Sequence, residues 1–305
     1  MKEVNLYEHL ICPDDKTNLE MRKQLACTHC GRVFTVASDG IVDLLPTELS
    51  KSDVAEEKFW STDPREGVKA HPLLALVHKG DVLLQFYEQV LPDLKLHGNV
   101  LELGSGTCWL SSLIKFTFPE TYVVATDVSH SALVKGIQVS EFLQTKIDQF
   151  VACKVEQLPF EDSFFDYIVG SAVLHHTSPE KAIPEICRVL KNEGSYIGVW
   201  ELAIPRILGI FWGSKLGLAG RAEREIGSKE GNYSLTQWKK FFEAAGFDEV
   251  TISLERDPNY KHYHWFIGFY YKIVAGLPEA FARRFLACNI KLTAKKKKPS
   301  GNASL

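Results

Sequence analysis

Between residues 98 and 254 the hydrophobic pattern alternates between two periods. Short apolar runs predict strands at Asn99–Leu103, Tyr122–Thr126, Gln149–Cys153, Phe165–Ser171, Ser195–Trp200 and Glu249–Leu254. Between them apolar positions recur at helical spacing, which predicts helices at Thr107–Phe116, His130–Phe142, Pro179–Leu190 and Ser234–Ala245. Strands that are apolar on both faces and separated by helices belong to a parallel sheet with crossover helices. The fold class expected is therefore α/β, a doubly wound and mostly parallel sheet.

The rest of the chain divides around this block. Residues 1–47 carry Cys12, then Cys27 and Cys30, each close to a turn, followed by short apolar runs at Val33–Val36 and Ile41–Leu45. This is the outline of two knuckles of a small β-rich zinc ribbon. Residues 48–79 are mixed and polar, and read as a linker with one helical stretch, Asp53–Trp60, folding over a cleft. A further helical face spans Gly80–Leu91, closed by Pro92. Residues 201–233 form an insertion opening on an apolar, aromatic stretch, expected as a lid over an acceptor or as a satellite core. Residues 255–305 crowd aromatics (Tyr260 to Tyr271), then an amphipathic stretch, Leu277–Ile290, then five lysines between Lys291 and Lys298. Besides a single-stranded RNA surface, which the net acidic chain disfavours, two readings of this extension stand. One is peripheral contact with a membrane surface, rings at headgroup level and lysines on anionic lipid. The other is a final antiparallel strand at Trp265–Tyr271, a packed helix and a solvated basic tail.

Three segments carry the chemistry. The run Val100–Leu103 ends in a turn with Gly104 and Gly106 ahead of a helix, which lets backbone N–H groups approach a bound cofactor. Glu102 places a carboxylate where a dinucleotide pyrophosphate would be repelled, and favours a cationic ligand end instead. Val123–Thr126 leads into Asp127, positioned to hold ribose hydroxyls. The third landmark runs from Glu156 through Leu158-Pro159-Phe160 to Asp166, and on through a strand to His175 and His176.

In this order and spacing the three segments resemble class I S-adenosylmethionine (SAM) dependent methyltransferases, in the branch containing quinone-biosynthesis C-methyltransferases and many small-molecule methyltransferases. The resemblance covers roughly residues 80–254, taken as the SAM-binding domain, and implies a Rossmann-like sheet of the seven-stranded type. It implies that Glu102, Gly104 and Gly106 approach the methionyl part and Asp127 the ribose. Cys108 and Ser171 complete the expected cofactor contacts, Cys108 standing where a third glycine is often found. Lys154 stands where an acid often bonds the adenine amino group. A lysine cannot accept that bond, so the backbone around Val155 and the side chain of Glu156 or Gln157 are expected to serve. His175 and Glu201, at the rim of the cleft, are the candidate catalytic residues. A sulfonium methyl is already activated, so a base is needed only where the acceptor has a proton to lose.

The N-terminal ribbon resembles domains fused to, or partnering with, RNA and protein methyltransferases, where each knuckle normally carries Cys-x-x-Cys. Here the metal ligands would be Cys12, Asp15, Cys27 and Cys30, with Asp15 replacing the fourth cysteine. A structural zinc and a metal-free ribbon both remain open.

Composition limits the partners. The 305 residues are 45% hydrophobic and 24% charged with a formal net charge of -3, so no global pull toward nucleic acid exists. Seven cysteines, an odd number, fit reduced thiols better than a disulfide framework. The N-terminus lacks a secretory-leader pattern and no apolar run reaches a bilayer's span, so a cytoplasmic protein is expected, at most peripheral on the inner face of a membrane. The expected function is methyl transfer from SAM to oxygen or carbon of a small or lipid-like acceptor. The alternatives are an rRNA base methyltransferase with a zinc ribbon and a non-catalytic SAM-binding scaffold.

Overall fold

The computed structural model describes residues 4–62, 94–204, 231, 233–255, 265–286 and 288–298. In chain order its strands are β1 (Leu19–Met21), β2 (Leu25–Cys27), β3 (Val33–Val36), β4 (Val42–Asp43), β5 (Asn99–Leu103), β6 (Tyr122–Asp127), β7 (Gln149–Ala152), β8 (Phe165–Ser171), β9 (Leu190–Ala203), β10 (Phe247–Leu254) and β11 (Cys288–Lys296). Its helices are α1 (Lys51–Thr62), α2 (Trp109–Thr117), α3 (His130–Phe142), α4 (Pro179–Val189), α5 (Leu235–Ala244), α6 (Trp265–Gly276) and α7 (Glu279–Phe285). The strands lie in the order β1-β2-β3-β4-β7-β6-β5-β8-β9-β11-β10. From β4 to β9 neighbouring strands run parallel, while β11 is antiparallel to both β9 and β10. The chain winds outward from β5 to β7 on one side, then returns to β8 on the other. That reversal opens a crevice beyond the carboxyl ends of β5 and β8.

The alternation along each central strand sets the two layers. Leu101, Val124, Val151 and Ile168 face one side and pack with Ile183 and Ile186 of α4 and Trp238 and Phe242 of α5. Their neighbours Val100, Val123, Ala152 and Val169 face the other, against Leu110 and Ile114 of α2 and Leu133 of α3. A strand buried on both faces has no polar positions to spare, so these runs were legible as strands before any fold was known. Helix α3 spans the residues expected, and the other boundaries in this block shift by a few residues. The largest shift is in β9, where the stretch Lys191–Gly194, between the expected helix Pro179–Leu190 and strand Ser195–Trp200, is a bulge within the strand.

The N-terminal segment shares the same sheet. Val42 and Asp43 of β4 pair in parallel with Val151 and Ala152 of β7. The Leu158-Pro159-Phe160 segment is its second anchor. Leu10 bridges Phe160, Ile11 N–H donates to Pro159 O at 3.0 Å, and Glu161 N–H donates to His9 O at 3.0 Å. Leu6, Leu10, Leu25 and Phe34 thereby join the core that contains Phe160 and Phe165.

The C-terminal extension departs from the expected order of strand, helix and tail. Trp265–Tyr271, expected as a strand, lies in helix α6. The expected helix Leu277–Ile290 is reduced to α7, and Cys288–Lys296 is a strand inserted between β9 and β10. The physical reason lies in the period. Cys288, Ile290, Leu292 and Ala294 are buried while the residues between them are half-buried, a two-residue alternation that the lysine content masked. The lysines are not a detached tail. Lys296 Nζ donates to Leu190 O at 2.6 Å, Lys297 and Lys298 are exposed, and Lys298 lies 3.9 Å from Glu193. Among the described residues no helix is long and apolar enough to cross a membrane. The Gly80–Leu91 helix, Tyr260, Tyr263 and residues 205–230 of the expected lid lie outside the described residues.

Candidate functional site

The crevice is built by the turn after β5. Gly104 and Gly106 adopt φ of +57° and +51°, a left-handed conformation that glycine takes without steric cost. A Cβ on Gly104 would stand 2.6 Å from Val173 Cγ2, so that position also needs glycine for space. Cys108 shares the left-handed conformation at φ +55°, buried against Gly136 of α3. This is where a third glycine would have relieved the backbone, and the thiol instead fills the gap beneath the turn.

Two buried carboxyls stand behind the turn. Asp127, at the end of β6, accepts the Gly106 N–H at 2.8 Å on Oδ2 and the Ser129 N–H at 2.9 Å on Oδ1. Burial, with the nearby Glu56 and Glu57 charges, pushes it up to about 6 against the pull of those N–H groups. Glu102, at 1% exposure, accepts both the N–H of Ser111 (2.8 Å) and its hydroxyl. Burial pushes Glu102 up to about 8, and the Asp127 charge adds to it. Glu102 thus braces the start of α2 rather than lying open in the crevice. Its charge can still be felt by a cation bound at the turn.

The loop after β8 is organised by a residue 26 or more positions away. Glu201, near the end of β9, is fully buried. Its Oε1 accepts the N–H groups of Val173 (3.1 Å) and Leu174 (2.9 Å); its Oε2 accepts the His175 N–H (3.1 Å) and lies 2.8 Å from His175 Nδ1. Burial pushes the Glu201 carboxyl up, but the His175 bond and charge and the backbone donors outweigh it, so the group lies below its ordinary value. A carboxylate on Nδ1 fixes the tautomer and leaves Nε2 as the basic nitrogen. Glu201 does not itself point to an acceptor; it holds His175. The imidazoles of His175 and His176 lie 4.2 Å apart.

The remaining expected contacts are spread along the rim. Ser171 ends β8, half-buried, opposite Val199. Val155 and Glu156 form a 3-10 turn after β7, and Glu156 Oε1 accepts the Ser178 N–H at 3.0 Å, which spends it on the start of α4. The expected helical stretch Asp53–Trp60 lies within α1. Its Trp60 ring lies over Gly106, its Glu57 carboxylate accepts from the hydroxyls of Ser129 (2.7 Å) and Ser131 (2.5 Å), and its Asp53 pairs with Lys154 at 2.5 Å. Sequence reasoning placed the helix but not the contacts that Asp53 and Glu57 make. The sequence carried no clear signal for them, because Glu156, two positions after Lys154, is a nearer acid.

Away from the crevice, the ligand atoms of Cys12, Asp15, Cys27 and Cys30 all lie within 4.8 Å of one another. Cys12 Sγ and Cys30 Sγ are 3.9 Å apart, and Cys27 Sγ is 3.4 Å from Asp15 Oδ2. The N–H groups of His29 and Cys30 both point at Cys27 Sγ from 3.4 Å, and Thr17 holds Asp15 Oδ1 through its N–H and hydroxyl.

The strand order, the glycine turn and the acid after β6 define a Rossmann-like methyltransferase fold. Residues 101–198 match the methyltransferase domain family Methyltransf_11. A demethylmenaquinone methyltransferase of Bacillus cereus is 30% identical over 119 residues, 38% of this chain and 50% of that protein. A malonyl-[acyl-carrier protein] O-methyltransferase of Herminiimonas arsenicoxydans is 34% identical over 95 residues, 31% and 34% of the two chains. The chain therefore spans half or less of the length of these curated relatives. Among solved structures, geranyl diphosphate C-methyltransferase from Streptomyces coelicolor, in complex with S-adenosyl-L-homocysteine, aligns with a TM-score of 0.56 at 13% identity, covering 78% of this chain and 83% of that one. Haemonchus contortus phosphoethanolamine N-methyltransferase 2, in complex with SAM, aligns with a TM-score of 0.55 at 12% identity, covering 83% and 61%. At such identities these structures speak for the fold alone. The domain match and the named relatives make this part of the chain similar to methyltransferases.

Proposed function

We propose that the chain transfers a methyl group from SAM to oxygen or carbon of a small or lipid-like acceptor. The observation that carries this reading is the convergence of three groups at the carboxyl ends of β5, β6 and β8. These are the glycine turn, the buried carboxyl of Asp127 and an imidazole held by Glu201. The residues fit the cofactor. The turn at Gly104 and Gly106 admits a close backbone approach, and the carboxyls of Asp127 and Glu102 suit a ligand with a ribose diol and a cationic end.

When bound, SAM supplies an electrophilic methyl on a sulfonium. Gly104 and Gly106 would hold its methionyl side, with Glu102 behind them, and Asp127 would accept the ribose hydroxyls. His175 Nε2 takes the proton that an O–H or C–H acceptor must lose, and Glu201 stabilises the resulting imidazolium through Nδ1–H. The names of the relatives, a quinone-precursor enzyme and an O-methyltransferase of a malonyl carrier, support an acceptor of this chemical range.

We infer in addition that Cys12, Asp15, Cys27 and Cys30 hold a structural zinc. Tetrahedral bonds of about 2.3 Å to sulfur set ligand sulfurs about 3.8 Å apart, against 3.9 Å for Cys12 and Cys30. Thr17 orients the carboxylate as an outer-shell partner would. Such a closed site ties the two knuckles together and has no part in the chemistry.

The test of the enzymatic reading is methyl transfer from labelled SAM into fractionated cell extract, with Gly104→Val as the control that blocks the turn. Label should enter the lipid or small-molecule pool with the parent chain and no pool with the variant. Label confined to RNA would refute the acceptor class, and no transfer or SAM binding by the parent would refute the enzymatic reading.

A further inference from the structure

Lys154 and α1 present a feature that the crevice chemistry above does not use. Asp53, Glu57 and Trp60 recur at helical spacing on one face of α1, and each is tied to the rim of the crevice. Asp53 pairs with Lys154 just after β7, with side chains only 13% and 15% exposed. Glu57 grips Ser129 and Ser131 at the start of α3. Lys135 Nζ donates to Trp60 O at 2.5 Å and lies 5.5 Å from the centre of its ring. Between α1, the exit of β4 and the exit of β6 is a cavity of about 380 Å³, lined by Leu45, Leu49, Val54 and Val128 with Asp53 and Glu57 at its polar edge. That volume falls in the range of small-molecule pockets, and Lys58, Ser61 and His130 also line it.

A nucleoside whose ribose is held by Asp127 would have β7 beside it, since Asp127 pairs with Ala152, and the cavity next to it, which Val128 lines together with Asp53. A purine with an exocyclic amino group there needs an acceptor. Lys154 can only donate, and the Glu156 carboxylate is bonded to the Ser178 N–H. Asp53 can accept. Its Oδ2 takes Lys154 Nζ and the Ser50 N–H at 2.7 Å, whereas among the described residues Oδ1 has no hydrogen bond.

We propose that the N-terminal segment supplies the base-recognition part of the cofactor site, with Asp53 accepting the adenine amino group and Lys154 acting as the positioning residue that holds Asp53 there. The inference rests on the SAM-dependent reading above. It places a specificity determinant on α1, outside the matched methyltransferase domain. The lysine that cannot bind adenine itself becomes the anchor for the acid that can.

The experiment compares two probes by calorimetry on the full chain, S-adenosylhomocysteine and its inosine counterpart, in which a carbonyl replaces the amino group. The parent should prefer the adenosyl compound by about tenfold or more, because the carbonyl would face an acceptor with no proton to offer. In Asp53→Asn the side-chain amide can donate to the carbonyl, so the preference should collapse to within a few-fold. Lys154→Met should also erode the preference, since Asp53 loses its anchor. Thermal melts of both variants check that they fold, and one folded variant suffices for the comparison. A folded variant that keeps the parental preference, or a parent that binds both probes equally, overturns the assignment of Asp53 while the cofactor reading stands. A parent that binds neither probe overturns the cofactor reading, and this inference with it.

Discussion

Replacing Glu201 with Gln tests whether this carboxylate organises the loop after β8. The side chain is fully buried and receives four donors: three backbone N–H groups and His175 Nδ1. A glutamine keeps one oxygen and turns the other into an NH₂ facing two donors. If the NH₂ meets the Val173 and Leu174 N–H groups, both are left buried and unpaired. If it meets His175, the ring can switch tautomer to accept, which strands only the His175 N–H. At about 1–3 kcal/mol per unsatisfied buried donor, the amide takes the orientation that strands one, and the expected loss is about 1–3 kcal/mol. The measurement is urea unfolding at pH 7, with the imidazole tautomer read from ¹⁵N shifts. The sign with pH follows from the depressed carboxyl of Glu201. Its contribution is present in full above the ordinary glutamate range and is lost as pH falls through the lower folded value. The variant lacks that ionisation, so the gap between parent and variant should narrow in acid. A loss below about 0.5 kcal/mol, the range of ordinary surface substitutions, with His175 unchanged would refute the role given to Glu201.

Three further outcomes are expected. Glu102 and Asp127 are raised to about 8 and about 6, so their stabilisation of the cofactor-free chain is complete below the ordinary carboxylate range and is lost as pH rises through those values. A cationic cofactor favours their ionised forms; SAM binding should release protons and tighten from pH 6 to pH 8, and calorimetry with neither effect would remove both carboxyls from the cofactor's surroundings. Ending the chain at Ile290 removes Lys291–Lys296, which pair with both β9 and β10; such a chain should lose cooperative unfolding, whereas one ending at Lys298 should melt like the parent, and a well-folded 1–290 chain would disprove the placement of β11. Protein purified without chelator should contain about one zinc per chain, absent from Cys27→Ser together with a lower Tm; metal-free protein of unchanged Tm would leave the ribbon held by its apolar core alone.

The central sheet was legible from the chain because each of its strands is a local event. A run such as Val100–Leu103 or Tyr122–Thr126 is apolar on both faces wherever it packs, and the glycines that follow β5 mark a turn whatever surrounds it. Asp127 could be picked out for the same reason, since it sits at a fixed place after a strand. The C-terminal strand shows the limit of this reasoning. Its alternation of Ile290, Leu292 and Ala294 with polar residues was present in the sequence, but a lysine-rich stretch reads as solvated until two strands with unpaired edges require a partner between them.

The site divides along the same line. Residue types and spacing singled out Gly104, Gly106, Asp127, His175 and the four metal-ligand candidates. Only tertiary structure could decide that Glu201 holds the loop of His175, that Glu156 is committed to the start of α4, and that Lys154 meets Asp53 from a helix 101 positions earlier. Local pattern records which face of an element is buried. It carries no record of which distant side chain completes a hydrogen bond there, because that depends on how whole elements are packed.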